Sequence, residues 1–197
     1  MDSKLYCNDI AQVSAVLNTK EDVYPESVLS SVAKFPFGEI IIKTHSTTPH
    51  AKYELFKKAK YDILYYQDDD AICPIQRLLE NSDFTKINVA MKTGHYKMYK
   101  NLRMTMGLGW GAFFPKSILS ALDPYLAKYG EDELLMRDTE KILTHLSYPQ
   151  NRFVLPIYDL PSSIAPDRLC MQTNHMANMR LIEDRCREFI LPLSLVA

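Results

Sequence analysis

The chain has 197 residues, of which 47% are hydrophobic and 24% are charged, and its formal net charge is −1. A chain of this length and composition can bury the core of one soluble domain, and its near-neutral charge excludes a general electrostatic attraction to nucleic acid. No apolar run approaches the roughly 20 residues that cross a bilayer, and the N-terminus has no signal-peptide pattern. We therefore expect a single cytoplasmic domain over residues 1–197, with no membrane span.

The N-terminal part of the chain alternates predicted strands with predicted helices. Apolar, β-branched runs predict strands at residues 12–19, 39–43 and 63–66, and helices are predicted near residues 25–35 and 49–60. A β-α-β-α-β order is typical of a parallel sheet with crossover helices. Polar residues lie at the end of each strand: Asn18 and Thr19 end the first, Thr44 and His45 follow the second, and three aspartates come after the third. Because ligands bind at the carboxyl ends of such strands, we expect a nucleotide-sized crevice there.

The three aspartates are Asp68, Asp69 and Asp70, and Gln67 separates them from the third predicted strand. Adjacent carboxylates repel one another by roughly 1 kcal/mol or more per close pair at a surface-like dielectric, and a bound cation removes that repulsion. Carboxylate oxygens suit Mg²⁺, Mn²⁺ or Ca²⁺. The triplet therefore predicts a divalent metal site that holds a diphosphate. The alternative is a solvated acidic turn.

The second half of the chain has a different pattern. A short helix at residues 75–79 and a strand at 86–91 precede a polar, methionine-rich segment at 92–106 that has no clear period. Half of the six glycines then fall within residues 107–111, where Gly109 would permit close backbone approach to a ligand. Trp110, the only tryptophan, could stack on a sugar ring, or could equally be a core residue.

The C-terminal elements are predicted from caps and apolar spacing. Helices are predicted at residues 116–129, at 131–148 and, after His175, at 176–189. Residues 152–157 predict a strand whose Pro156 favours a sheet edge, and residues 159–168 form a proline-rich loop. The four cysteines lack CxxC spacing, so we expect free thiols and no zinc site.

With these motifs in place, residues 12–175 resemble a GT-A type glycosyltransferase. The family's DxD motif matches the aspartate triplet, and its glycine-rich aromatic segment matches residues 107–114. The resemblance implies an α/β, GT-A-like fold: a Rossmann-like β-α-β-α-β half and a mixed central sheet with helices on both faces. The nucleotide-sugar half would be residues 10–91 and the acceptor half residues 92–190. The small size resembles bacterial or large-DNA-virus members, including chlorovirus enzymes, and a longer parent chain beyond residue 197 is plausible.

The resemblance also implies a set of site residues. The metal, Mn²⁺ or Mg²⁺, would bind Asp70 and Asp68, with the family's late histidine matched by His175. A helix-capping or core histidine is the alternative for His175, and His45, His95 and His145 are weaker candidates for the ligand. The nucleotide sugar would contact residues at the three strand ends, in the second helix and in the glycine-rich segment: Asn18, Thr19, Thr44, Lys52, Asp68, Asp69, Gly109 and Trp110.

The family's general base is matched by Asp138. An ion pair with Arg137 or Lys141 is the alternative for this aspartate. Glu131 and Asp132 are other acids nearby, but both are explained as helix N-terminal residues. Lys97 and Arg103 are candidate phosphate or acceptor contacts.

The function that the resemblance implies is metal-dependent transfer of a sugar from a nucleotide sugar to a glycan acceptor hydroxyl. The donor would be a UDP-hexose or UDP-deoxyhexose, and transfer would invert the anomeric carbon if Asp138 is the base. Two alternatives remain open: a phosphatase of the haloacid dehalogenase type that uses Asp68 and Asp70, and a nucleotide-binding module without catalysis. No nucleic-acid partner is expected.

Overall fold

The computed structural model describes residues 7–46, 48–93, 107–147, 149–161 and 174–190. Its strands are β1 Val13–Asn18, β2 Glu39–Lys43, β3 Ile63–Asp68, β4 Ala71–Ile72, β5 Asn88–Met91, β6 Ala112–Pro115, β7 Asn151–Val154 and β8 Tyr158–Asp159. Its α-helices are α1 Glu26–Ala33, α2 Ala51–Lys58, α3 Ile75–Asn81, α4 Asp123–Tyr129, α5 Glu133–Leu146 and α6 His175–Arg187. Two 3₁₀ helices span Cys7–Gln12 and Lys116–Leu122.

Six of the strands form one mixed sheet, in the order β2-β1-β3-β6-β5-β7. Strands β2, β1 and β3 are mutually parallel, β6 runs antiparallel to both β3 and β5, and β7 is parallel to β5. The short strands β4 and β8 form a separate antiparallel pair. The carboxyl ends of β2, β1 and β3 therefore meet at one edge of the sheet, as the sequence predicts.

Both faces of the sheet are covered by helices. One hydrophobic cluster packs α1 and α3 against the face of β1 that carries Val13, Ala15 and Leu17. The other packs α2, α4, α5 and α6 against the opposite face, which carries Val16. Since side chains alternate between faces along a strand, the nearly uninterrupted apolar sequence of β1 follows from burial on both sides. The predicted α/β fold, a mixed sheet with helices on both faces, is confirmed.

The sequence did not predict β6, although it occupies the middle of the sheet between β3 and β5. This strand has only four residues, Ala112–Pro115, of which Ala112, Phe113 and Phe114 are fully buried. A strand buried on both faces has no polar–apolar alternation to reveal it. Its terminal proline also counts against a strand, but that residue lies at the strand's last position.

Other predicted elements differ in their bounds. The single helix predicted at 116–129 is a 3₁₀ helix followed by α4, because Pro124 lies in the first turn of the α-helix, where proline is favoured. Strand β3 extends through Asp68. The predicted edge strand is β7, at the end of the sheet. Met179, Ile182 and Cys186 form the buried face of α6, as its spacing predicts. None of the helices in the described part of the chain is long and apolar enough to cross a membrane.

Candidate functional site

The carboxyl ends of β1, β2 and β3 bring several predicted site residues together. Asn18, the last residue of β1, lies opposite Asp68 on one side and Lys43 on the other. The backbone N–H of Thr19 donates to the Lys43 carbonyl at 2.9 Å, which continues the pairing one residue further. Thr44 follows directly, and it is half-buried. The strand-end residues chosen from the sequence therefore share one crevice edge.

A buried glutamine holds the turn that carries the aspartates. Gln67 accepts a hydrogen bond from the Tyr65 hydroxyl at 2.5 Å, and its amide nitrogen donates to the Ala71 carbonyl at 2.6 Å. The Tyr24 hydroxyl donates to the Gln67 backbone carbonyl at 3.0 Å. Since residues on both sides of Asp69 and Asp70 are fixed in this way, the turn has a defined position. The sequence placed Gln67 beside the acids but gave no sign of this role.

The three carboxylates have different surroundings. The Asp68 side chain, about one-third exposed, accepts hydrogen bonds from the Tyr66 hydroxyl and from Lys52. Asp69 is only 4% exposed and accepts from the Thr19 hydroxyl. Asp70 is half-buried, and its backbone carbonyl accepts from the N–H of Leu160, next to β8. The triplet is thus built into the fold, in contrast to the solvated turn that was the alternative.

Lys52 of α2 is the internal cation of the site. It is 4% exposed, and its Nζ lies 3.4 Å from Asp68 Oδ1 and 3.3 Å from Glu140 Oε2. The same nitrogen lies 4.6 Å from the centre of the Tyr66 ring. Burial by itself lowers the pKa of Lys52, but the charges of Asp68 and Glu140 outweigh it and the pKa is raised. The lysine is therefore charged at neutral pH and links β3 to α5.

Glu140 is a site residue that the sequence analysis missed. Besides its contact with Lys52, its Oε2 accepts a hydrogen bond from the Leu108 backbone N–H at 3.1 Å. It therefore joins α5 to the glycine-rich segment as well as to the lysine. The sequence offers no signal for this, because the two contacts span 88 and 32 residues.

The glycine-rich segment lies directly against the acidic turn. The Asp68 backbone N–H donates to the Gly109 carbonyl at 2.8 Å. A Cβ atom added to Gly109 would lie 1.9 Å from Asp68 Oδ2, a distance that no side chain can adopt. The absence of a side chain at Gly109 therefore lets its backbone lie close to Asp68.

Trp110 is neither fully buried nor fully exposed. Part of its ring packs against the core cluster that includes α5, and Lys92 Nζ lies 4.5 Å from the ring centre. Lys92 also forms an ion pair with Asp159 of β8. The tryptophan thus combines core packing with a ring face already covered by a cation. Its stacking on a sugar stays a prediction.

Asp138 lies in a kink of α5, where its φ of −126° and ψ of 30° depart from helical values. It is 2% exposed; its Oδ1 lies 2.5 Å from Lys141 Nζ and its Oδ2 lies 3.5 Å from Arg137 Nε. The ion pairs considered as the alternative to a base are both present. Because residues two apart on a helix do not share a face, Asp138 and Glu140 lie on different sides of α5. Its role as base stays a prediction.

Several other candidates are explained or lie outside the described residues. Asp132 caps α5 by accepting from the Leu135 N–H at 2.9 Å and also pairs with Arg185, as expected of a helix N-terminal acid. His145 is buried, and His45 is exposed and lies 3.2 Å from Asp22. His95, Lys97 and Arg103, and the side chain of His175, lie outside the described residues. Within the described part, no group of three or more histidine, cysteine, aspartate or glutamate side chains could hold a metal ion by itself.

The fold is similar to that of solved structures. The chain shares its fold with glucosyl-3-phosphoglycerate synthase from Mycobacterium tuberculosis, solved with Mn²⁺, uridine diphosphate and phosphoglyceric acid, at a TM-score of 0.51, 14% identity, and coverage of 89% of this chain and 78% of that chain. A second structure of that enzyme, with Mn²⁺, uridine diphosphate and glucosyl-3-phosphoglycerate, gives a TM-score of 0.50, 16% identity, and coverage of 93% and 85%.

The chain has a GT-A-like fold. At these identities the similarity concerns the fold, and the activity of that enzyme does not transfer with it. The sequence matches no protein-family model and no curated protein.

The structure also shows a buried histidine beside the site, which gives a pH-dependent prediction. His50, at the start of α2, is 5% exposed, and its Nδ1 lies 2.9 Å from the Thr139 hydroxyl. Since that hydroxyl donates to the Leu135 carbonyl, Nδ1 is the donor to it. Burial lowers the pKa of His50 below the ordinary 6.5. As pH falls from above 6.5 through this lowered pKa, the unfolded chain takes up the proton first, so stability declines.

We expect His50→Asn to flatten the decline in unfolding free energy between about pH 7 and pH 5, since the titrating group is gone. Urea unfolding at both pH values measures it. His45→Asn is the matched control, because His45 is exposed and asparagine tolerates its positive φ of 53°. An equal pH slope in His50→Asn and wild type would contradict the assignment.

Proposed function

We propose that the protein is a metal-dependent glycosyltransferase that uses a nucleotide sugar, with UDP as the carrier. The observation that carries the proposal is the acidic turn at the ends of three parallel strands, fixed by Gln67 and backed by Lys52, in a GT-A-like fold. A carboxyl edge of parallel strands is where open α/β sheets bind nucleotides. In this proposal residues 10–91 bind the nucleotide sugar and residues 92–190 the acceptor.

The nucleoside would bind at the ends of β1 and β2. Asn18 is about nine-tenths buried, yet its Oδ1 has no hydrogen-bond partner among the described residues. The Ser46 hydroxyl oxygen is also buried without a partner among these residues. A buried acceptor of this kind is costly unless a ligand satisfies it. The N–H of a uracil ring is a donor of the required kind. Thr19 and Thr44 lie beside Asn18 and would contact the same nucleoside.

The metal would bind Asp70. Mg²⁺ and Mn²⁺ take hard oxygen ligands, and a nucleotide-bound Mg²⁺ needs only one or two carboxylates because phosphates and water supply the rest. The described carboxylates fit that requirement, with Asp68 as the second ligand and His175 as a further one. A divalent cation held there supplies Lewis-acid neutralisation of the leaving diphosphate. In the family that the sequence resembles, the last acid of the motif holds the metal, so we assign the metal first to Asp70.

The sugar would lie over the cluster formed by Lys52, Asp68 and Glu140. Carboxylates accept hydrogen bonds from hydroxyl groups and a lysine donates them, so the cluster can orient a hexose or deoxyhexose from several sides. The Gly109 carbonyl accepts from the Asp68 N–H beside this cluster, and Gly109 and the adjacent Trp110 would contact the ring. The buried position of Lys52 keeps the cluster rigid, which favours a defined orientation of the anomeric carbon.

Transfer to a glycan hydroxyl also needs a group that removes its proton. We assign this role to Asp138, which would have to release Lys141 for its carboxylate to reach a hydroxyl at hydrogen-bond distance. Direct displacement with such a base inverts the anomeric carbon. Product analysis with a hexose acceptor panel would report the anomeric configuration and hence test the assignment.

The first experiment is thermal unfolding with UDP and with GDP, each with and without Mn²⁺. A ligand that binds only the native state adds about 2.7 kcal/mol of stability at a hundredfold excess over its Kd. We expect a stabilising shift with UDP that requires Mn²⁺ and a smaller one with GDP. No shift with either nucleotide, together with hydrolysis of an aryl phosphate, would instead favour the phosphatase alternative.

A further inference from the structure

The outer edge of the sheet at β2 is a self-complementary surface. Strand β2 ends the sheet, and among the described residues no strand pairs with its outer side. Its sequence is Glu-Ile-Ile-Ile-Lys, from Glu39 to Lys43, with no proline and no irregularity in its register with β1. Exposed strand edges of this kind pair readily with further strands unless proline, bulges or inward-pointing charges prevent it. We propose that β2 pairs antiparallel with β2 of a second copy of this chain, centred on Ile41.

The charges of the strand fit this one arrangement. Antiparallel pairing centred on Ile41 places Glu39 opposite Lys43 of the second copy, and Lys43 opposite Glu39 of the second copy. Opposite charges directly across a strand pair are favourable, whereas like charges are destabilising. A parallel pairing in register would place Glu39 opposite Glu39. The edge therefore selects an antiparallel second copy of itself.

Both charged groups are available for such a pair. Lys43 is exposed and forms no ion pair with any described residue. The Glu39 carboxylate accepts from the Ser14 hydroxyl at 2.6 Å and from the Lys60 N–H at 2.8 Å, both through Oε2, so Oε1 retains its capacity. Burial alone would raise the pKa of Glu39, but these hydrogen bonds and nearby lysines lower it, and the group is ionised at neutral pH.

The backbone polarity of β2 also fits the pairing. The Lys43 carbonyl, at the end of β2, faces β1 and accepts from the Thr19 N–H at 2.9 Å. Because backbone groups of successive strand residues point to alternate sides, those of Ile41 also face β1, and those of Ile40 and Ile42 point away from it. Ile40 would then exchange two hydrogen bonds with Ile42 of the second copy, and Ile42 would do the same with Ile40 of the second copy. The centre of symmetry at Ile41 falls on a non-hydrogen-bonded pair, as antiparallel geometry allows.

The apolar side chains on the other face of β2 would gain cover. Ile40 and Ile42 are 41% and 47% exposed, and they border a groove of about 430 Å³ between α1 and β2 that Val23 and Leu29 also line. In the paired strands, Ile40 lies opposite Ile42 of the second copy, which makes one row of four isoleucines. β-branched pairs of this kind stabilise antiparallel strands. The exposure of these residues in a single copy is thereby explained.

The test is the oligomeric state of the full chain, measured by sedimentation velocity over a concentration series. We expect wild type to form dimers as the concentration rises. Lys43→Glu should weaken the dimer by about tenfold or more, because two attractive pairs become two repulsive ones. Lys86→Glu is the matched control: its lysine makes a surface ion pair with Asp83, beyond β3 and β6 in the sheet order, and should leave the dimer unchanged.

A mixture of two variants tests the register directly. At a concentration at which wild type is dimeric, Lys43→Glu alone and Glu39→Lys alone should each be largely monomeric, whereas their one-to-one mixture restores both opposite-charge pairs and should form a heterodimer. Should Glu39→Lys fail to fold, slowed amide exchange of Ile40 and Ile42, whose N–H groups point away from β1, in concentrated wild type decides the same point. Wild type that stays monomeric at every concentration, or Lys43→Glu that dimerises as wild type does, would overturn the proposal.

Discussion

Asp70→Ala is expected to abolish the Mn²⁺-dependent stabilisation by UDP while the protein stays folded. The aspartate is the triplet member we assign to the metal, so its loss removes the carboxylate that fixes cation and diphosphate. The fold should persist, because Asp70 is half-buried and its contact with Leu160 uses the backbone carbonyl, which alanine keeps. The expected loss is the entire stabilisation that UDP gives in the presence of Mn²⁺, about 2.7 kcal/mol at a hundredfold excess of ligand over its Kd.

The matched control for this variant is Asp62→Ala. Asp62 is exposed and precedes the same strand, β3, at its opposite end. It should bind UDP and Mn²⁺ as wild type does. Thermal unfolding of both variants with and without ligands makes the comparison, and circular dichroism reports the fold. Full retention of the UDP shift in Asp70→Ala, or its gross unfolding, would count against the metal assignment.

Lys52→Met is expected to lower the free energy of unfolding by about 3 kcal/mol, as removal of one partner from a buried charge network does. Methionine keeps the length of the side chain and its contact with the Tyr66 ring. The carboxylates of Asp68 and Glu140 would then face each other's charge without the cation between them. Urea unfolding at neutral pH measures the loss.

Two further variants separate charge from packing. Lys57→Met changes an exposed lysine of the same helix, paired with Glu54 at 2.9 Å, and should cost less than about 1 kcal/mol, as surface ion pairs do. Adding Glu140→Gln to Lys52→Met should recover part of the loss, because one uncompensated carboxylate disappears while the amide oxygen can still accept from the Leu108 N–H. A double variant less stable than Lys52→Met would show that packing, and not charge, determines the cost.

The sequence was sufficient for the parts of the fold that depend on local pattern. Strands β1, β2 and β3, with the helices between them, have clear apolar periods and polar ends, so the parallel half and its crevice could be predicted. Strand β6 could not, since four residues buried on both faces carry no periodic signal. The same holds for the break between the 3₁₀ helix and α4, which a single apolar pattern conceals.

Some of the site residues could likewise be predicted from the sequence, and others could not. Residues at the ends of consecutive strands, such as Asn18, Thr19 and Asp68, could be placed together because parallel strands align their carboxyl ends. Lys52 forms an ion pair with Asp68, and its contact with a nucleotide sugar stays a prediction. Glu140 could not be found, because its position depends on how α5 packs against α2 and the glycine-rich segment, a tertiary relation between distant parts of the chain. For Asp138, the adjacent basic residues in the sequence did indicate the ion pairs that the structure contains.

The contact between Gly109 and Asp68 has a consequence for how this protein can diverge. With only 1.9 Å between Asp68 Oδ2 and the place of a Cβ on residue 109, any side chain there displaces the acid from its hydrogen bonds to Lys52 and Tyr66. The two positions are therefore expected to change together, so a relative that keeps the aspartate at position 68 should also keep the glycine at position 109. A larger residue fits at position 109 only after Asp68 has been replaced by a smaller residue. A relative that lacks the glycine at position 109 is thus expected to lack the aspartate at position 68 as well.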